Sequence, residues 1–147
     1  MILVDANLLL YAANRSAPEH GVARKWLDDR LTGSAAVGLP WMALLAFVRL
    51  ASNPAVVRNA VTPRAAMGQV EEWLGCRAAW IPEPGLEHAM ILVRLLASPL
   101  MTSRLVPDAH LAALAIEHGL TLCSADGDFA KFSGVRWENP LAADGAM

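Results

Sequence analysis

The sequence predicts an α/β protein built on a parallel sheet with helices on both faces. Three observations lead there. Short apolar runs of strand length alternate with longer, helix-patterned stretches along the 147 residues, the order from which parallel sheets are wound. Gly and Pro punctuate most of the boundaries between them. Carboxylates follow two of the apolar runs, at the place where α/β sheets open their ligand-binding rim.

Each element has a local reason. Residues 2–4 read as a short buried strand, and Asn7 to Ala13 as an apolar helix. Ser16 with Pro18 predicts the start of a second helix, a hydroxyl cap with proline in the first turn. Its positions Val22, Trp26, Leu27 and Leu31 share one face, and Gly33 ends it. Ala35 to Leu39 is a second strand. Trp41 to Ser52 is a strongly apolar helix closed by Asn53-Pro54. Thr62-Pro63 caps a helix carrying Met67, Val70 and Leu74, ending at Gly75. Ala78 to Ile81 is a third strand, stopped by Pro82. Gly85 to Ala97 is helical, with Leu86, Met90, Val93 and Leu96 in register. Residues 98–106 read as a loop, and Pro107 to His118 as a helix ended by Gly119. Residues 120–124 are a fourth strand, Asp128 to Phe132 a single helical turn, and Val135 to Trp137 a fifth strand.

A chain of this length is one domain with a proper core. Residues 1–138 form that domain, and 139–147 a tail expected to fray from Asn139. The hydrophobic fraction of 55% and mean hydropathy of +0.36 are high for so small a protein, so some apolar surface is expected to meet a partner. The net charge of −2 excludes a general basic field; a nucleic-acid ligand would need a local basic patch and a metal to offset acids. Cys76 and Cys123 match no CxxC spacing and suit a reducing compartment. The N-terminus lacks a basic leader, and Asp5 interrupts its apolar run. The longest charge-free stretch, Leu31 to Val48, is broken by Gly33, Gly38 and Pro40, so no membrane span is expected. Together these features predict a cytoplasmic protein.

Four aspartates carry the chemistry. Asp5 ends the first strand, Asp126 and Asp128 follow the fourth, and Asp108 opens the preceding helix. Taken singly, each has an ordinary role: Asp5 as a helix cap, Asp108 against a helix dipole, Asp126-Gly127-Asp128 as a turn. If the fold gathers them, they repel one another and need a hard cation with oxygen ligands, Mg²⁺ or Mn²⁺. That combination points to metal-assisted attack on a phosphate ester. The histidines make a poor metal set: His110 and His118 are two helical turns apart. His110, two residues past Asp108, is expected to support the site or touch substrate. His20, His88 and His118 read as surface residues. The five tryptophans read mainly as core or interface, with Trp41 the interface candidate. No GxSxG, P-loop or GxGxxG occurs, which argues against serine hydrolase, NTPase and dinucleotide-binding functions.

Three blocks resemble the signatures of PIN-domain nucleases: Val4-Asp5-Ala6-Asn7-Leu8-Leu9-Leu10-Tyr11, Pro107-Asp108-Ala109-His110-Leu111-Ala112-Ala113-Leu114-Ala115 and Ser124-Ala125-Asp126-Gly127-Asp128-Phe129. Within that family the chain is most similar to the VapC toxins of toxin–antitoxin pairs. Leu39-Pro40-Trp41 and Leu44-Leu45-Ala46-Phe47-Val48-Arg49 resemble a subset of them. The resemblance implies a three-layer α/β/α sandwich with a central parallel sheet, and a Mg²⁺- or Mn²⁺-dependent endoribonuclease that leaves a 5′-phosphate without using the 2′-hydroxyl. It carries the catalytic acids onto Asp5, Asp108, Asp126 and Asp128, with Asp5, Asp108 and Asp126 as the metal ligands. Asn7, Ser124 and His110 fall in supporting positions. Arg15, Arg49, Arg104 and Lys131 are candidates for contacts to RNA. The chain departs from the pattern at Ala46, near which many PIN domains carry a glutamate; no acid lies between Asp29 and Glu71.

Two other functions stay open at this point. A haloacid-dehalogenase-type phosphatase would use Asp5 as nucleophile, but wants an acid where Asn7 stands. A PIN domain that has lost its chemistry would only bind an antitoxin or RNA. The implied partners are RNA, a VapB-like antitoxin and a second copy of the chain. The dimer is expected on helices near residues 41–51 and 63–74, and an antitoxin groove near Trp41, Leu44 and Leu45.

Overall fold

The computed structural model describes residues 1–142. Five strands, β1 (Ile2–Val4), β2 (Val37–Gly38), β3 (Ala79–Trp80), β4 (Thr121–Cys123) and β5 (Arg136–Glu138), form one sheet in the order β3-β2-β1-β4-β5. Every pairing is parallel. Six helices flank the sheet: α1 (Ala6–Ala13), α2 (His20–Leu31), α3 (Trp41–Ala51), α4 (Pro63–Leu74), α5 (His88–Leu96) and α6 (Val106–His118).

Side chains alternate across a strand, and β1 shows what that does here. Ile2 and Val4 enter a core shared with α1 to α4, whereas Leu3 points into a second core with α5 and α6. The same split places Cys123 in the first core and Leu122 in the second. Burial on both faces explains why β1 and β4 read as unbroken apolar runs. The result is the expected three-layer sandwich.

Most boundaries follow the expected local chemistry. The Thr62 hydroxyl accepts the Ala65 N–H at 3.1 Å and caps α4, with Pro63 in its first turn. Gly119 ends α6 with φ of 67°, a left-handed conformation that glycine adopts without a steric penalty.

Four expectations need correction. α2 starts at His20, not at Ser16 and Pro18. The Ser16 N–H is taken by Asn14 Oδ1 in an Asx turn and its hydroxyl by the Asn59 side chain, so it is not available as a cap. The buried face of α2 is Ala23, Leu27 and Leu31, and Val22 is exposed. α5 begins at His88 and buries His88, Ile91 and Leu95, leaving Leu86, Met90 and Val93 in solvent. Apolar residues occupy nearly every position of α5, so periodicity alone permits more than one inward face. The face and start are set by Glu117 of α6, whose carboxylate accepts the N–H groups of Gly85 and Glu87 at 2.8 and 3.0 Å. The expected loop at 98–106 holds a 3-10 turn, Ser103–Leu105, that runs directly into α6. Finally, fraying does not begin at Asn139: the Leu141 N–H bonds to Asn139 Oδ1 at 3.0 Å, and Leu141 packs against the first core. Residues 143–147 of the expected tail lie outside the described residues.

Candidate active site

The site grows from the register of β1 and β4. Val4 is paired with Cys123, and the Asp5 N–H bonds to the Cys123 carbonyl at 3.0 Å. Asp5 and Ser124 therefore leave the sheet side by side. Ser124 is fully buried and its hydroxyl joins three segments. It donates to Asp5 Oδ2 at 2.8 Å and accepts from Asn7 Nδ2 and the Asp126 N–H, each at 3.0 Å. Asn7 Oδ1 in turn accepts the Ala125 N–H at 3.2 Å. Asn7 and Ser124 thus stitch the start of α1 to the loop after β4. The indole N–H of Trp137 on β5 fixes the Ser124 carbonyl at 3.0 Å.

Asp5 does two jobs at once. Its Oδ1 accepts the Ala6 N–H at 2.7 Å, capping α1, while Oδ2 takes the Ser124 hydroxyl. Asp126 caps a 3-10 turn over Gly127–Lys131 by accepting the Asp128 N–H at 2.9 Å. Asp108 stands in the first turn of α6. One carboxylate oxygen each of Asp108, Asp126 and Asp128 lie within 4.8 Å of one another, the one such acidic or His/Cys group among the described residues. Asp5 adjoins this group rather than joining it at that distance, and its charge is felt by Asp108. The three clustered acids therefore differ from the expected ligand set by exchanging Asp5 for Asp128.

The electrostatics separate the four acids. Burial, and then repulsion from Asp5, Asp126 and Asp128, pushes the Asp108 carboxyl from its ordinary 3.8 up to about 6. Burial also raises Asp5, with the Ser124 and Ala6 hydrogen bonds opposing and Asp126 adding to the rise. Asp128 moves the other way: Arg104 and Lys131 hold its carboxyl below the usual range. Arg104 Nη1 meets Asp128 Oδ2 at 2.9 Å and Lys131 Nζ meets Oδ1 at 3.0 Å.

The donor set suits a small hard cation. All the candidate ligands are carboxylate oxygens, and Asp108 is under a repulsion that a cation would relieve. Oxygens of an octahedral Mg²⁺ shell stand about 3 Å apart when adjacent and about 4.2 Å apart when opposite, so oxygens within 4.8 Å of one another are on the scale of a single ion.

The remaining candidates are placed as follows. Arg104 and Lys131 reach the acidic rim. Arg15 and Arg49 are exposed and make no ion pair among the described residues. His110 turns toward α5, where its Nδ1 lies 3.1 Å from Nε2 of His88. His88 was expected on the surface but is buried, because it fills the α5–α6 seam between His110 and Glu117, whose Oε1 is 3.9 Å away. Burial and the His88 ring lower the His110 pKa. Leu44 is wholly buried and cannot line a groove, while Trp41 and Leu45 remain exposed. The Lys131 contact was visible in principle, since Asp128 and Lys131 sit three residues apart within one turn. The Glu117 clamp joins residues 30 and 32 apart and left no local signal.

Comparison with known proteins identifies the family of the chain. A family model described as PIN domain matches residues 2–135. Ribonuclease VapC37 of Mycobacterium tuberculosis is 45% identical over 142 residues, covering 97% of this chain and 99% of that protein. VapBC2 from Rickettsia felis, solved bound to a DNA fragment from its promoter, superposes with a TM-score of 0.69 at 16% identity, over 95% of this chain and 98% of that one. Mycobacterium tuberculosis VapC20, described as a sarcin–ricin loop cleaving toxin, gives a TM-score of 0.66 at 20% identity, over 92% and 99% of the two chains. The chain belongs to the PIN-domain family, and within it to the VapC ribonuclease toxins. Neither the phosphatase nor the binding-only alternative finds support in these likenesses.

Proposed function

We propose that the protein is a Mg²⁺- or Mn²⁺-dependent endoribonuclease and the toxin of a toxin–antitoxin pair. The observation that carries this is the acidic rim: three carboxylates within 4.8 Å of one another, with Asp5 beside them. Among the described residues no basic side chain bonds to Asp108 or Asp126. Asp108 and Asp126 of that cluster, with Asp5 beside it as the family resemblance implies, are the residues that would hold the ion. When bound, a divalent ion supplies Lewis-acid activation of water and neutralises charge that builds on the phosphate.

The chain's own residues do the rest. Ser124 and Asn7 fix the angle between Asp5 and the β4 loop, so that the carboxylates converge before substrate arrives. Asp108 accepts no hydrogen bond among the described residues, which leaves a carboxylate oxygen to orient the attacking water or take its proton. Arg104 and Lys131, paired with Asp128 at the rim, are the proposed contacts to the RNA backbone. With the 3′-oxygen as the leaving group, as the family resemblance implies, attack by water leaves a 5′-phosphate and a 3′-hydroxyl and makes no use of the 2′-hydroxyl.

The partner is proposed to be a VapB-like antitoxin, which the likeness to VapBC2 supports. A cleft of about 330 Å³ between α1, α3 and α4, lined by Leu10, Phe47, Val57, Val61 and Ala66, offers an apolar seat for one of its segments. Homodimerisation is proposed on the high apolar content of the chain. Among the described residues no helix is long and apolar enough to cross a membrane, and two free thiols suit the cytoplasm.

The test is cleavage of RNA by purified protein in Mg²⁺, with Asp126→Asn as the control. Cleavage by wild type that is lost in Asp126→Asn and in chelator supports the mechanism. Wild-type rates from Asp126→Asn would sink it.

A further inference from the structure

Asp128 differs in kind from the other three acids. Each of its oxygens is occupied by a different cation, Arg104 at 2.9 Å and Lys131 at 3.0 Å. A carboxylate carrying two cations has less charge to offer a metal, and although each oxygen keeps a free lone pair, ligation would set the ion against Arg104 or Lys131. Both cations pair with Asp128, so the other three carboxylates have no paired cation among the described residues. On this account Asp5, Asp108 and Asp126 are the acids in need of the ion.

The two cations are also held in place. Arg104 lies in the 3-10 turn before α6, next to Leu105, which is 1% exposed. Lys131 lies in the turn after Asp126, between the buried Phe129 and Phe132. Both turns are thus pinned by buried apolar residues on either side of Asp128. The cations nevertheless face outward: Arg104 has 67% of its side chain exposed and Lys131 40%, against 22% for Asp128. Arg104 spends one nitrogen on Asp128, and a guanidinium has five N–H donors. It also lies in the field of Asp126 and Asp108, which places it beside the acidic cluster. A planar donor fork of this kind matches a phosphate.

Resting on the nuclease reading above, we infer that Asp128 is a positioning residue that holds Arg104 and Lys131 as a two-cation clamp for an RNA backbone phosphate next to the scissile bond, and is not a ligand of the metal. The clamp brings the polyanion to a rim that is otherwise acidic. It also explains how a chain with net charge −2 binds RNA at that rim. Asp128 acts through its two partners, and substrate takes the donors that Asp128 leaves free.

The experiment uses the full-length protein, Mn²⁺ binding by isothermal titration calorimetry, and steady-state cleavage of a short single-stranded RNA that wild type cuts. Wild type must bind Mn²⁺ and cleave; if it does neither, the nuclease reading itself fails. For Asp128→Asn we expect Mn²⁺ affinity within about threefold of wild type, KM raised about tenfold and kcat within about threefold, the signature of lost substrate binding. Arg104→Gln is expected to raise KM similarly and to lower the salt slope of RNA binding by about 0.7, one single-strand phosphate contact. In the double variant, Asp128→Asn should raise KM beyond Arg104→Gln by clearly less than its own factor of about ten, because part of its effect runs through that arginine and the rest through Lys131. Circular dichroism of each variant confirms folding, and Asp128→Glu, which keeps the charge, should recover most of the KM. A fall of about tenfold or more in Mn²⁺ affinity for folded Asp128→Asn would show that Asp128 acts on the metal, as ligand or outer-shell support, and overturn the inference. An unchanged or lowered KM, or fully independent effects in the double variant, would overturn it as well.

Discussion

Replacing Asp108 by Asn should make the metal-free protein more stable at neutral pH, although it removes a residue assigned to the site. Asp108 is half-buried among acids, and its carboxyl is raised from 3.8 to about 6 by burial first and by Asp5, Asp126 and Asp128 second. The folded protein therefore binds the Asp108 proton more tightly than the unfolded chain does. The penalty for ionising it is complete above about pH 6 and disappears as the pH falls toward 3.8. A rise of this size corresponds to about 3 kcal/mol at most. Water screens part of it, and the N-terminus of α6 favours a negative charge by up to about 1 kcal/mol, which leaves a gain of about 1–2 kcal/mol for Asn. For a chain of this length the melting temperature should rise by about 3–6 °C. The assay is thermal unfolding in chelator at pH 7 and at pH 4. The advantage of Asp108→Asn at pH 7 should vanish at pH 4, where the wild-type carboxyl is largely protonated. Saturating Mg²⁺ should reverse the order, since an ion at about a hundred times its Kd adds about 2.7 kcal/mol to the protein that binds it. An Asn variant whose difference from wild type is the same at both pH values would refute the claim that Asp108 is held charged against its surroundings.

Four further outcomes follow from the same geometry. Asp126→Asn should abolish RNA cleavage and relieve growth inhibition while retaining the fold, measured by gel assay, growth curve and circular dichroism. Native protein should react with a thiol reagent at Cys76 well before Cys123, whose thiol is pushed up to about 12, chiefly by burial and then by Glu138; mass spectrometry of the labelled peptides decides this, and equal labelling of both thiols in folded protein contradicts it. Light scattering at micromolar concentration should give a homodimer mass, and a monomer would remove that proposal. In a toxin–antitoxin complex, Arg or Lys to Ala changes in the antitoxin segment nearest Asp5 or Asp108 should restore cleavage; persistent inhibition by an intact complex would show that charge pairing is not what silences the site.

The fold was legible wherever a local rule sufficed. Apolar triplets such as Ile2-Leu3-Val4, a hydroxyl before proline at Thr62-Pro63 and the left-handed Gly119 each determine their own surroundings. Misreadings arose where a distant side chain took over a local group. Ser16 was expected to cap α2, but Asn59 occupies its hydroxyl across 43 residues. α5 was expected to bury Leu86, Met90 and Val93. Its sequence is apolar on all sides, and Glu117, His88 and His110 decide which side faces α6. His88 read as a surface residue for the same reason, since its burial depends on a histidine 22 residues away.

The acidic rim was legible for a different reason. In a parallel sheet, the ends of adjacent strands lie together by construction, so acids after β1 and β4 had to meet once those strands paired. No side-chain detail was needed for that inference. What it could not divide was labour among the acids. Sequence position makes Asp126 and Asp128 near equivalents, two residues apart in one turn. The structure separates them by their partners: Asp126 accepts a backbone N–H, while Asp128 accepts two cations, one from its own turn and one 24 residues away. Arg104 decides that difference, and it lies in a segment that reads as featureless loop. A loop cation beside a buried neighbour, Leu105, thus pairs with an acid in another element and holds its carboxyl below the usual range. Loops between the signature blocks of this chain therefore carry part of the site, although their residue types alone do not mark it.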